Sequence, residues 1–248
     1  MSERGLETLH PDEVIWHDLE CGAYAADLSL WRALAARQGS PILELGAGTG
    51  RVALDLARHG HQVTALDNDG ELLAALRGRA RDLPVSTVLA DARNFALEKD
   101  FALCLMPMQT VQLLGGAAGR ALMLTCARSH LRPGGLLALA LTTELEPYRV
   151  ASAAAAPLPD TCESCGSVFF SQPTAIFRVS EGYVLERRRE TVSSAGARTV
   201  AHYRVALDDL STHQLEREGR ECGFEPAGRM AVPATPEHSG SEVVVLRA

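Results

Sequence analysis

Ile42-Leu-Glu44-Leu-Gly46-Ala-Gly48-Thr-Gly50-Arg51 is the stretch of this 248-residue chain whose reading decides the fold. A short apolar run leads straight into glycines at every second position, and a helical pattern from Val52 to Arg58 follows at once. Glycine tolerates the backbone angles of a tight turn and lets a ligand approach bare main chain, here at a helix N-terminus whose N–H groups and dipole favour electron-rich groups. The next extended run, Gln62–Leu66, ends at Asp67, seventeen residues beyond Gly50. That is about where a βαβ nucleoside site holds the carboxylate that meets ribose hydroxyls.

Outward from this unit, residues Pro41 to about Thr142 alternate short leucine-rich or β-branched runs with helical stretches. This pattern builds a parallel sheet covered on both faces. Strands are predicted at Ile42–Leu45, Gln62–Leu66, Val85–Leu89, Phe101–Met106 and Leu136–Leu141, with helices between them. Asp69 is predicted to cap the helix that reaches about Arg79, and Arg58-His59-Gly60 to end the preceding one, which makes His59 and His61 turn residues. Upstream, Cys21 to Arg37 carries Tyr24, Leu28, Trp31 and Leu34 at helical spacing and reads as one helix, with Trp16 and Trp31 packing it down.

From about Pro157 to Leu207 the texture becomes extended and alternating, in Ser167–Ser171, Tyr183–Val192 and Thr199–Ala206, with Ser193-Ser-Ala-Gly-Ala as a hairpin turn. Ser211-Thr-His-Gln214 forms a capping box, so a helix starts there and ends near Gly223. Strands Glu225–Val232 and Glu242–Leu246 finish the chain. The predicted organisation is a helical segment or lid over 1–40, an α/β core over 41–156, an inserted antiparallel β layer over 157–207, and a closing helix with two core strands over 208–248.

Composition bounds the function. A hydrophobic content of 46%, a charged content of 22% and a mean hydropathy near zero describe an ordinary globular chain. The absence of a basic and then apolar leader, and of any long apolar run, leads to the expectation of a cytoplasmic protein that makes no use of a membrane. A net charge of −7, with arginines scattered among acids, argues against nucleic acid as a partner. Cys162-Glu-Ser-Cys165 has ligand-like spacing but neither a second cysteine pair nor nearby histidines, so no metal is expected.

A nicotinamide site would want a third glycine where Arg51 stands. The spacing is instead G-x-G-x-G preceded by Glu44, and the third strand ends in Leu89-Ala-Asp91-Ala92. Together with Asp67, these features resemble the motifs of the class I S-adenosylmethionine-dependent methyltransferases, and the order of elements is similar along nearly the whole chain. The resemblance implies a Rossmann-like, doubly wound seven-stranded sheet of order 3-2-1-4-5-7-6 with the last strand antiparallel, the inserted β layer serving as substrate lid. It implies S-adenosylmethionine as cofactor, with S-adenosylhomocysteine as product. The methionine part would lie along Gly46, Ala47, Gly48, Thr49 and Gly50, with Glu44, Arg51 and Tyr24 around it. Asp67 and Asn68 would hold the ribose, Asp91 and Ala92 the adenine, and Met106 at the end of the fourth strand would complete the cofactor site.

Methyl transfer is an in-line displacement that depends mainly on alignment, with an optional base for an amine or phenol nucleophile. His238, with Glu237 in the loop between the two terminal strands, is the leading base candidate. Glu144 and Glu146 follow the fifth strand and suit a cationic amine or a base, Gln109 and Gln112 follow the fourth and suit substrate orientation, and His17 joins Tyr24 in closing over the methionine part. Met106-Pro-Met-Gln109 replaces the Asn/Asp-Pro-Pro-Tyr/Phe motif of the nucleic acid and protein amide N-methyltransferases. The expected activity is methylation of O, N or C of a small molecule, in natural-product biosynthesis, with a homodimer as the expected assembly. A cyclisation, elimination or decarboxylation that exploits the sulfonium, and a cofactor-binding protein without catalysis, are the alternatives.

Overall fold

The computed structural model describes residues 12–143, 145–150, 157–235 and 238–248. Helix α1 (Glu13–His17) continues into a π turn (Asp18–Gly22) and is followed by α2 (Leu28–Gln38). The core then alternates β1 (Ile42–Leu45), α3 (Arg51–Arg58), β2 (Val63–Asp67), α4 (Gly70–Ala80), β3 (Val85–Leu89), β4 (Phe101–Met106), a 3-10 turn (Thr110–Leu113), α5 (Gly116–Ser129) and β5 (Leu131–Leu141). A second sheet comprises β6 (Tyr148–Arg149), β7 (Asp160–Ser164), β8 (Ser167–Val179), β9 (Gly182–Val192) and β10 (Arg198–Asp208). Helix α6 (Thr212–Glu221) and strands β11 (Glu225–Val232) and β12 (Ser241–Arg247) close the chain.

The seven-stranded sheet runs β11-β12-β5-β4-β1-β2-β3. Strands β1 to β5 are parallel, whereas β12 pairs antiparallel with both β5 and β11. This is the predicted order 3-2-1-4-5-7-6. Burial on both faces explains why the central strands read as unbroken apolar runs. On one face Leu34, Val52, Leu56, Leu73 and Leu76 from α2, α3 and α4 meet Ile42, Leu103 and Ala138. On the other, Met123, Leu124 and Leu215 from α5 and α6 meet Leu43, Cys104 and Leu137. The C-terminal ends of the parallel strands therefore open together on one edge, where open α/β sheets take their ligands.

The predicted caps hold. Asp69 Oδ1 accepts the N–H groups of Glu71 and Leu72 at 2.8 and 3.0 Å. Ser211 Oγ accepts Gln214 N–H at 3.2 Å, but the Gln214 amide turns away to Glu218, so the capping box is only half formed. The single helix expected over Cys21–Arg37 is not found. Gly22 ends the π turn, Asp27 begins α2, and the span between them is a turn held by Arg51, whose Nη1 donates to Tyr24 O. Strand β8 runs through Pro173, beyond the predicted end at Ser171, because a register irregularity between Pro173 and Ala175 accommodates the missing N–H. The Cys162/Cys165 spacing comes from a two-residue hairpin: Cys165 and Gly166, at φ 51° and 75°, join β7 to β8.

Candidate cofactor and active site

Three glycines of the loop between β1 and α3 stand at positive φ, with Gly48 at 53°. The backbone N–H of Gly48 donates to Asp67 Oδ2 at 2.7 Å, and Asp69 N–H donates to Asp67 Oδ1 at 3.0 Å. The carboxylate that ends β2 thus fastens the loop after β1, and each of its oxygens keeps a lone pair for a further donor. Gly50 caps α3 without a side chain; in its place Glu44, reaching up from β1, accepts the Ala53 N–H. Glu44 is almost fully buried beneath the loop and burial pushes its carboxyl up to about 8. It supports the turn from below instead of lining the cradle, because strand alternation and the start of α3 enclose it.

The outer side of the loop is covered by the N-terminal segment. A Cβ at Gly48 would lie 2.3 Å from His17 Nε2, so the imidazole rests directly on the bare backbone. Thr49 Oγ1 donates to Asp18 Oδ1 at 2.7 Å, which leaves its oxygen to accept from His17 Nδ1 at 3.3 Å. Burial lowers the His17 pKa, against the pull of Asp18 and Asp67. Asp18 also pairs with Arg79 of α4 at 2.5 Å. On its far side the same segment meets the second sheet: Glu20 accepts from Ser171 Oγ at 2.6 Å and from Arg189 at 2.8 Å, while Trp16 packs edge-on against Phe169 at 5.2 Å. Residues 13–22 therefore form a strap between the glycine loop and the second sheet.

The fate of the other predicted residues is mixed. Arg51, expected near the cofactor carboxylate, has its guanidinium clamped by Asp27 at 2.5 and 2.8 Å, which holds the Tyr24 turn in place. Tyr24 carries His238 on its ring at a centroid separation of 4.9 Å, so the loop between β11 and β12 packs on the turn that holds Tyr24. Asp91 is bracketed by Arg93 at 2.6 Å. The Met106 side chain is fully buried with Leu139 and Val111 on the opposite core face, leaving only its backbone at the edge. Asn68 is exposed beside Asp67, Ala92 is half-buried, and Gln109 precedes the 3-10 turn. Gln112, expected to orient substrate, has its amide fully engaged by the main chain at Thr142 and Asp208. Glu144 and Glu237 lie outside the described residues. Sequence reasoning missed Asp18, Glu20 and Arg79, whose partners are far apart in the chain.

Residues 42–135 match a family described as a methyltransferase domain, a stretch that holds the loop, Asp67 and Asp91. Over that stretch the chain is similar to methyltransferase domains. Its cofactor is S-adenosylmethionine, and a cradle of bare glycine backbone closed by a buried carboxylate fits an adenosyl sulfonium. Among relatives, cypemycin N-terminal methyltransferase of a Streptomyces species is 31% identical over 108 residues, 44% of this chain and 44% of that protein. The alignment thus spans less than half of that relative. The glycopeptide N-methyltransferase MtfA, solved with S-adenosylhomocysteine, is 25% identical, with a TM-score of 0.60 over 97% of this chain and 98% of that one. An amino pentose methyltransferase of Micromonospora echinaspora, solved with S-adenosylmethionine, shares the fold at 19% identity and a TM-score of 0.70, covering 94% of this chain and 97% of that one. Among the described residues no helix is long and apolar enough to cross a membrane.

Proposed function

We propose that this protein transfers the methyl group of S-adenosylmethionine to an amine nitrogen of a small, natural-product-like molecule such as an amino sugar or the free N-terminus of a peptide. The observation that carries the reading is the bond from Gly48 N–H to Asp67, which builds one concave site from the ends of β1 and β2. Support for nitrogen as acceptor comes from the relatives, which act on a peptide N-terminus, a glycopeptide nitrogen and an amino pentose by their names.

In this reading the loop 46–50 holds the methionine part, Asp67 accepts from the ribose hydroxyls, and Asp91 with Ala92 meets the adenine. The cofactor supplies, when bound, an electrophilic methyl whose leaving group is built in. His17 occupies the loop's open face, so the strap shifts to admit the cofactor and then closes over it. His238, on the Tyr24 ring, takes the proton of the ammonium form and frees the lone pair. The freed lone pair would be the nucleophile for the methyl carbon that the cofactor would supply, with its sulfur as the leaving group. Gln109, ahead of the 3-10 turn, orients the acceptor. Excluding water and aligning three atoms provide most of the rate.

The test is calorimetric and then chemical. S-adenosylmethionine and S-adenosylhomocysteine should each release heat on titration, and Asp67→Ala should weaken both by about tenfold or more, since charge-assisted hydrogen bonds contribute roughly 1.5–3 kcal/mol. Incubation with amino sugars and short peptides should yield S-adenosylhomocysteine in equal amount to a product heavier by one methylene. Unchanged affinity of Asp67→Ala would sink the ribose role, and cofactor turnover without methylated product would sink the transfer.

A further inference from the structure

Thr142 stands one residue beyond the end of β5, at the edge where the parallel strands open. Its residue is 3% exposed, yet its Oγ1 meets no donor or acceptor among the described residues. A buried hydroxyl with no partner is costly, and in a native site it calls for a reason. Its backbone, by contrast, is gripped on both sides. Gln112 Oε1 accepts Thr142 N–H at 2.9 Å, and Gln112 Nε2 donates to Thr142 O at 3.2 Å and to Asp208 O at 2.9 Å. A side chain from the 3-10 turn thus does the work of a neighbouring strand, and presents one hydroxyl in a fixed place.

That place is next to the candidate acceptor site. Alternation along β5 sends Leu136, Ala138 and Ala140 to the core face that also holds Tyr24 and Ala47, and Thr142 is the next residue in that series. The β5–β12 register pairs Glu242 with Leu141, so its next step sets Thr142 opposite Ser241. The Ser241 side chain reaches the Tyr24 hydroxyl, and Tyr24 bears the His238 ring. Thr142 therefore stands beside Ser241, Tyr24 and His238 at this edge, and among the described residues its hydroxyl has no partner.

We infer that the Thr142 hydroxyl is a substrate-positioning group, whose oxygen accepts an N–H of the attacking amine so that the nitrogen lone pair is turned toward the methyl carbon. Gln112 acts through it, as the positioning residue that fixes its backbone. The inference rests on the amine-methyltransferase reading above and adds to it the group that selects and orients the acceptor.

Thr142→Val keeps the shape and removes the hydroxyl, and Thr142→Ser restores it. Heat released on titration with S-adenosylmethionine should be the same for all three proteins, because the hydroxyl meets the acceptor and not the cofactor. The apo Val variant should melt at the same temperature as the parent or about 2 °C higher, since an orphan polar atom is lost. With amino sugars and N-terminal peptides as probes, kcat/KM should fall tenfold or more in the Val variant and recover to within about threefold in the Ser variant. The same ranking should appear, without turnover, when these amines are titrated into protein saturated with S-adenosylhomocysteine. A parent that binds amines but transfers no methyl would overturn the catalytic reading while leaving this contact measurable. The inference itself falls if the Val variant binds or methylates amines as well as the parent, or if its melting temperature drops, which would show that the hydroxyl is used inside the fold.

Discussion

Glu44 departs furthest from the behaviour of its residue type. It is buried under the glycine loop, caps α3 through Ala53 N–H, and has one carboxyl oxygen without a partner among the described residues. Burial dominates over the attraction of Arg51, and the carboxyl is pushed from 4.5 up to about 8. A folded-state pKa above the unfolded one means that stability is fully present below pH 4.5 and is lost as pH rises through about 8. Glu44→Gln preserves the capping oxygen and never ionises. Its melting temperature should equal the parent's at pH 5 and exceed it at pH 8.5, by an amount corresponding to at most about 4 kcal/mol. Parallel curves at the two pH values would mean that Arg51 keeps the carboxylate charged.

At the scale of elements, the strap and the glycine loop act as one unit because glycine leaves room for His17. Gly48→Ala introduces a Cβ 2.3 Å from His17 Nε2 and strains a backbone at φ 53°. The variant should lose about 1–2 kcal/mol from the backbone alone, and more from the displaced ring. Adding His17→Ala should recover the second share and not the first, a non-additivity that thermal melts of the four proteins would reveal. Simple additivity would separate the ring from the loop. The loop itself was legible in the sequence, since a strand, alternate glycines and a carboxylate seventeen residues on are all local signals. So were the sheet order and the caps at Asp69 and Ser211. The strap was not, because Asp18–Arg79 and Glu20–Arg189 join residues 61 and 169 positions apart and leave no periodic trace. The helix expected over Cys21–Arg37 failed for the same reason: apolar spacing continued through Tyr24, but Arg51 and Asp27 fixed a turn there. Met106 and Gln112 were read as facing the site, but the Met106 side chain packs into the core with Val111 and Leu139 and the Gln112 amide is spent on the main chain of Thr142 and Asp208, contacts that chain position does not reveal.

For the whole molecule, the strap is the joint between the seven-stranded sheet and the second sheet, and its two anchors share a sensitivity to acid. Hydrogen bonds from Arg79 and Thr49 hold Asp18 below its ordinary value, and those from Arg189 and Ser171 do the same for Glu20, in both cases against burial. With folded-state pKa values depressed, their contribution is present above the ordinary values of 3.8 and 4.5 and is lost as pH falls through the folded ones. The central strands are held instead mainly by apolar packing on both faces. The two tryptophans report on the two regions separately. Trp16 packs on Phe169 and under Arg189 at the second sheet, while Trp31 is fully enclosed against the core and donates to Asp27 at 2.8 Å. On acidification, Trp16 fluorescence read in Trp31→Phe protein should shift to the red at a higher pH than Trp31 fluorescence read in Trp16→Phe protein. Glu20→Gln should already show part of the Trp16 shift at pH 7, with the far-UV signal of the core unchanged. A single coincident transition for both reporters would mean that strap, second sheet and core open together, and that cofactor entry requires a larger opening than movement of residues 13–22.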